Sequence, residues 1–439
     1  MTTAAMALAD AAPKPPPLQE PTPLSSLVFS KESRNLSCLV VTSLVSILFA
    51  LSFSFSSLSL SSSVAFTKNN INTRLASLLS LHNSLPPPPS LAYLVTGSTG
   101  DHNRILRLLS AVYHPKNIYL LHLDLEANQS EREALAYAVQ KINVYMEIGN
   151  VHVVGHAGNG DTKGSSSLAV VLHGAAALLK LSKHWNWFLN LDVSDYPLVT
   201  QDDLLHILAF LPREINFIQH TDHFDPREFR RLKRVMIDPG LYLSTQPDQV
   251  FYGTQQRELP DAFRIFTGSG SVILTRNFIE YCILGTDNLP RSILMYYTNT
   301  LSSHTKYFHT VVCNSLEFKN TVFNSNLHFA SSADLFKNMS RSGAAFRSGF
   351  VENDPILDRI DLVLLGKLPS KIIPGGWCLE KKTKMSSSSS SISNECSVLG
   401  DANILRPGPG AKRLENFILK FISDSGGSLR ARQCISDRK

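Results

Sequence analysis

The chain has 439 residues, 43% hydrophobic and 18% charged, enough to bury a sizeable core as one large domain with appendages. Its 42 Lys and Arg against 36 Asp and Glu leave a net charge of +6 with no dense basic block, which argues against nucleic-acid binding and suits anionic small ligands. Six cysteines in a chain this long exclude a small disulfide scaffold, yet five of them follow residue 280.

Residues 1–35 open with a Pro-, Ala- and Ser-rich stretch that lacks the side chains to form a core, and read as a disordered cytoplasmic tail. Lys31 and Arg34 precede a run from Leu36 to Phe66 without a charged residue, longer than the roughly 20 residues a bilayer crossing needs. The long preceding tail argues against a cleaved signal peptide, so residues 36–63 are expected to be an uncleaved transmembrane anchor. Basic residues before it, and none after it until Lys68, predict a single-pass type II protein with everything beyond the anchor lumenal. Residues 64–90 form a stem ending in Pro86 to Pro89, an extended polyproline spacer. The folded domain is then 91–439.

Leu91 to Gly97 is a β-rich run stopped by Gly, followed by Arg104 to Leu109 at helical spacing, a strand-turn-helix unit. Ile118 to Asp124 is a second strand ending in an acid, and Val151 to Val154 a third. Strands alternating with helices predict an α/β domain with a mostly parallel central sheet of nucleotide-binding type. Asp124 at a strand end can accept from a nucleotide base or ribose, or simply cap a turn. Gly158-Asn159-Gly160-Asp161 has neither phosphate-loop nor Gly-x-Gly-x-x-Gly spacing. Leu168 to Leu181 reads as a core helix.

Trp187-Phe188-Leu189-Asn190-Leu191-Asp192-Val193-Ser194-Asp195-Tyr196-Pro197 is the stretch the domain is organised around. An apolar run too short for a helix that ends in two carboxylates reads as a buried parallel strand. Pairing is expected to stop at Pro197, which has no N–H. Ligands of open α/β sheets sit outside the carboxyl ends of the strands, where Asp192 and Asp195 emerge; the plainer alternative is that both acids only cap the helix opening at Thr200-Gln201.

From here motifs accumulate in order: Asn190-Leu191 with Ser194-Asp195-Tyr196-Pro197-Leu198, Ile237-Asp238-Pro239-Gly240-Leu241-Tyr242, Phe266-Thr267-Gly268-Ser269, Asp287-Asn288-Leu289-Pro290-Arg291, Met295-Tyr296-Tyr297-Thr298-Asn299, Tyr307-Phe308-His309-Thr310, Gly375-Gly376-Trp377-Cys378 and Leu405-Arg406-Pro407-Gly408-Pro409-Gly410. Together they resemble plant members of glycosyltransferase family 14, nearest to β-glucuronosyltransferases of arabinogalactan synthesis. The resemblance implies a Golgi membrane enzyme with a GT-A-like fold that transfers glucuronic acid, with inversion, from UDP-glucuronic acid to β-galactan chains of arabinogalactan proteins. It leaves room for another UDP-sugar of the same family, N-acetylglucosaminyl or xylosyl, for a complex with other glycosyltransferases, and for a non-catalytic member that binds glycan or a partner transferase.

Inverting transfer needs a carboxylate to take the acceptor proton and positive charge to stabilise departing UDP. The family resemblance implies that no metal supplies that charge, and Asp192-Val193-Ser194-Asp195 has the wrong spacing for an Asp-x-Asp metal site. It carries nucleotide-sugar binding onto Asp124, Asp195, Gly268 and Ser269. It puts the family's catalytic Glu at Thr305, which cannot serve as a carboxylate base, and its pyrophosphate-gripping Lys at or near Gly349, with Arg347 as the substitute. The segment between His328 and Met339 is shorter than in relatives. His304, Lys306, His309 and Glu317 are the polar residues near the vacant base position.

Cys378 and Cys396 flank a serine-rich stretch, 386–393, and close it if the compartment is oxidising. Cys434 is left to bridge Cys282 or Cys313. Asn128-Gln129-Ser130 and Asn338-Met339-Ser340 are lumenal glycosylation sequons, whereas Asn35-Leu36-Ser37 stays on the cytoplasmic side.

Overall fold

The computed structural model of the chain describes residues 86–155, 158, 163–242, 250–329, 336–368, 371–379, 396, 398–424 and 434. The predicted tail, the anchor at 36–63 and most of the stem lie outside the described residues, as do the serine-rich stretch and 330–335. Among the described residues no helix is long and apolar enough to cross a membrane.

Seven strands build the main sheet: β1 (Leu91–Gly97), β2 (Ile118–Leu123), β3 (Val151–Val153), β4 (Trp187–Asp192), β5 (Asn216–Phe217), β6 (Ile273–Thr275) and β7 (Val322–Phe323). Their order is β7-β5-β6-β4-β1-β2-β3. Pairing is parallel from β3 through β4 and between β5 and β7. Only β6 runs antiparallel, against both β4 and β5. The fold is thus mixed α/β with a mostly parallel sheet, as the alternation of strands and helices predicts.

Alternation along the central strands explains why they are apolar on both faces. Leu91, Tyr93, Val95, Trp187, Leu189 and Leu191 enter one core, while Ala92, Leu94 and Phe188 enter a second on the opposite face. Helix α1 (His102–Val112) covers the first face with Ile105, Leu108, Leu109 and Val112, the i, i+3, i+4, i+7 set of one helical stripe. Helix α2 (Ser166–Leu181) covers the second with Leu168, Ala175, Leu178 and Leu179.

Pairing in the main sheet stops at Asp192, before Pro197. The chain turns there, with the Asp195 N–H donating 2.8 Å to the Asp192 carbonyl. Tyr196–Pro197 then form a short strand antiparallel to Phe346–Arg347. Pro197 is tolerated because its strand is the edge of that small three-stranded sheet. Neither Asp192 nor Asp195 caps the next helix, α3 (Gln201–Phe210). Thr200 does, accepting from the Asp203 N–H at 3.2 Å while the Asp203 carboxylate accepts from the Thr200 N–H at 3.1 Å, a reciprocal capping box.

The acids of that first turn have a second task. Buried Asp202 accepts from the backbone N–H groups of Gly376 at 2.7 Å and Arg406 at 2.6 Å, and Asp203 from Gly408 at 2.6 Å. They thereby pin the Gly-Gly-Trp and Arg-Pro-Gly-Pro-Gly segments and deliver α4 (Pro409–Asp424) to the first core, where Leu414, Ile418 and Ile422 are buried. Cys378 pairs with Cys396, as expected, and Cys434 chooses Cys313, leaving Cys282 outside any disulfide. Asn128 and Asn338 are both exposed at the surface.

Candidate active site

The chain leaves β1 towards β2 and β3 on one side and returns to β4 on the other. The carboxyl ends of β1 and β4 therefore flank the point where strand order reverses, the place where open α/β sheets bind ligands. A cleft of about 860 Å³ opens there. Its walls come from Thr96 to Ser98 after β1, Asp124 and Glu126 after β2, Asp192 to Asp195 after β4, Ser167 and Val170 on α2, Ser269 to Ser271 before β6, and His304 and Ser348.

Three of the residues expected to bind the nucleotide sugar, Asp124, Asp195 and Ser269, are brought together in this cleft. Asp124 caps its own turn by accepting from the Glu126 N–H at 3.1 Å; burial raises its pKa, opposed by a hydrogen bond from Ser98. Asp195 is almost fully buried, with one carboxylate oxygen accepting from the Asp192 N–H at 2.9 Å. Burial pushes its pKa up, while His328, 3.9 Å away, and Ser348 oppose the shift. Asp192 accepts from the Ser194 N–H at 2.9 Å, so both carboxylates of this turn already serve its backbone.

Gly268 does not reach the main cleft. It pairs with His220 across a two-residue antiparallel ladder and lines a separate cavity of about 270 Å³. A Cβ there would lie 1.8 Å from the Gln219 carbonyl oxygen, so only glycine lets the two backbones approach and set Ser269 at the cleft wall.

Arg347 also stays out of the cleft. Its side chain is buried, with Nη1 2.9 Å from the Met339 sulfur and the guanidinium stacked 4.9 Å from the Phe350 ring centroid. Its neighbour Ser348 is the one that lines the cleft, as strand alternation requires. Gly349 is exposed at φ +92°, with open space where its Cβ would stand; any larger residue fits sterically but strains the backbone.

Thr305, where the resemblance puts the family's base, donates from Oγ1 to the Ser302 carbonyl at 2.9 Å. It lines the smaller cavity with Lys306, whose buried ammonium lies 3.6 Å from Glu228. His309 is completely buried and Glu317 is exposed away from the cleft. Of these near neighbours only His304 faces the main cleft among the described residues.

Some of the geometry had no linear signal. Asn190, in the middle of an apolar strand, donates to the Gly270 carbonyl at 2.8 Å and accepts from the Val272 N–H at 3.0 Å, tying β4 to the Ser269–Ser271 wall. A polar amide inside such a strand is the cue, but its partners lie 80 and 82 residues away. The cleft also presents Arg104 and Lys163. Arg104 is held by Asp101 at 2.7 Å and by the Phe350 carbonyl at 3.0 Å, a support for the cleft floor. Among the described residues His220, Cys313 and Cys434 are the group of side chains close enough to hold a metal ion, and both sulfurs are committed to the disulfide.

Comparison with known proteins identifies the family. Residues 91–347 match the profile of the Core-2/I-Branching enzyme family. The chain is 45% identical over 387 residues to Beta-glucuronosyltransferase GlcAT14A of Arabidopsis thaliana, covering 85% of this chain and 83% of the relative. It is 43% identical over 357 residues to GlcAT14C of the same plant, covering 79% and 85%. Rat xylosyltransferase 1 matches at 27% identity over 52% of this chain and 26% of its own length. Among solved structures, mouse xyloside xylosyltransferase 1 in its apo form superposes with a TM-score of 0.30 at 12% identity, over 60% of this chain and 98% of that one. The chain belongs to the Core-2/I-branching enzyme family of glycosyltransferases.

Proposed function

We propose that the chain transfers glucuronic acid from UDP-glucuronic acid to β-galactan chains of arabinogalactan proteins, inverting the anomeric centre on a GT-A-like domain. The observation that carries this reading is the 45% identity to a plant β-glucuronosyltransferase across 85% of the chain. The cleft supports it, since Asp124, Asp195 and Ser269 converge on the ligand side of the sheet. Transfer without a metal is part of the reading: the Asp192–Asp195 turn lacks Asp-x-Asp spacing, and we assign Lys163, which lines the cleft, the role of cation for the leaving pyrophosphate.

Incubating the full chain in detergent with UDP-glucuronic acid and a β-galactan oligosaccharide is expected to yield glucuronidated galactan. Transfer only from another UDP-sugar would overturn the donor assignment. Thr305 and Gly349, in place of the family's Glu and Lys, favour a second reading: a non-catalytic member that binds glycan or a partner transferase. Binding of donor and galactan with no transfer from any UDP-sugar is the result that reading expects.

We further propose that residues 36–63 anchor the chain in the membrane, so that this activity lies in the Golgi lumen in a type II arrangement. Protease added to sealed microsomes is expected to remove only the preceding tail. Digestion of residues 91–439 before detergent is added would overturn the topology and the lumenal sugar transfer with it.

A further inference from the structure

The chain lacks a carboxylate at Thr305, yet the cleft wall beside that position is not empty of bases. His304 lines the cleft directly opposite Gly270: a Cβ on that glycine would stand 2.8 Å from the imidazole Cδ2 and 3.4 Å from Nε2. The ring therefore packs edge-on against the backbone strip that Ser269 and Gly270 present to the ligand space. Its other nitrogen, Nδ1, lies 3.0 Å from Ser167 Oγ on α2.

That second contact orients the ring. The Ser167 hydroxyl also reaches the Gly164 carbonyl at 3.4 Å; in the arrangement where it donates there, its oxygen accepts from the imidazole and Nδ1 carries the hydrogen. In that tautomer Nε2 is the unprotonated nitrogen, on the edge facing the Gly270 strip. Among the other polar residues near the vacancy, Lys306 is engaged with Glu228 and His309 is sealed in the core.

We propose that His304 is the base that takes the proton from the acceptor hydroxyl in this chain, with Ser167 holding its tautomer. The proposal rests on the glycosyl-transfer reading above and replaces the missing carboxylate by a residue one position away. In the step it serves, the acceptor oxygen forms a bond to C1 of the donor sugar. The bond from C1 to the phosphate oxygen breaks and UDP leaves with that electron pair. The hydroxyl proton ends on Nε2 and passes from there to water. Burial, and then Lys306, lower the His304 pKa to about 4 in the ligand-free cleft, so the imidazole is neutral at neutral pH. A bound pyrophosphate brings negative charge beside it and raises that pKa towards the working range of a base.

The test compares full-length wild type, His304→Ala and His304→Gln in detergent with UDP-glucuronic acid and β-galactan. His304→Ala is expected to lose about 100-fold in kcat with little change in the KM for UDP-glucuronic acid. Added imidazole, which fits the vacated space, is expected to restore at least roughly tenfold, a response that a purely structural role does not give. Retention of more than a third of wild-type kcat, or a loss that imidazole leaves untouched, overturns the proposal. If His304→Ala does not fold, the Gln variant, whose amide can still donate to Ser167, carries the same expected loss, and near-wild-type kcat in it overturns the assignment. The stabilisation of wild type by UDP-glucuronic acid separates the two readings. Neither stabilisation nor transfer means that the donor reading fails and the proposal with it; transfer by wild type and His304→Ala alike defeats the base assignment alone.

Discussion

Asp195→Asn is expected to lower glucuronosyl transfer roughly 10²- to 10³-fold while leaving the fold at least as stable at pH 7. Both halves follow from where the carboxylate sits. It is nearly inaccessible, at the reversal point of the sheet, and on the proposed donor-binding reading removing its charge costs about 2–5 kcal/mol of binding or transition-state energy. Asn keeps an oxygen to accept from the Asp192 N–H, so the turn survives. The stability half comes from the raised pKa. A carboxyl held above its unfolded value of about 3.9 favours the folded chain fully below that value and loses this contribution as pH rises through the folded pKa. Asn does not carry the desolvation cost that burial imposes on the charge of Asp195. Thermal unfolding at pH 4 and pH 7 checks this: the variant's advantage should be present at pH 7 and shrink at pH 4. Transfer above a third of wild type would remove Asp195 from the site.

Cys434→Ser is expected to be the most destabilising single change outside the core, by about 5 kcal/mol, because the Cys313–Cys434 bridge closes a loop of 121 residues. By the same chain-entropy relation the Cys378–Cys396 bridge, spanning 18 residues, contributes about 3 kcal/mol. A fall in Tm on the order of 10 °C for Cys434→Ser, with a smaller one for Cys396→Ser, is the expected ranking. Cys282→Ser, which breaks no bridge, is the control. Equal effects for the two bridges would show that loop closure is not what they supply.

The strands and the general position of the cleft were legible because their signals are local. A continuous apolar run ending in Gly97, Leu123 or Asp192 states both that a strand is buried on two faces and where it stops. What the linear pattern hides is everything fixed by partners far away in sequence. Asp202 and Asp203 look like ordinary first-turn acids, yet their acceptor oxygens are used 174 to 205 residues later. Ser167 and His304 meet across 137 residues, and nothing in either neighbourhood announces it. The resemblance puts Arg347 in the site as a substitute for the family's Lys, but in a two-residue strand one step in register decides whether Arg347 or Ser348 faces the ligand, and the pairing with Tyr196 settles that.

The long bridge also has a consequence for biosynthesis. The last strand of the main sheet, β7, is complete at Phe323, only 10 residues after Cys313, whose partner lies 121 residues further along the chain than Cys313 itself. At translation rates of about 5–20 residues per second that interval is on the order of ten seconds, long enough for a nascent thiol to be oxidised by something else. The nearest competitor is Cys282, and once its helix has docked, burial holds that thiol protonated and therefore slow to attack. A helper that catalyses thiol exchange is expected to shorten maturation of this chain more than it raises the final yield.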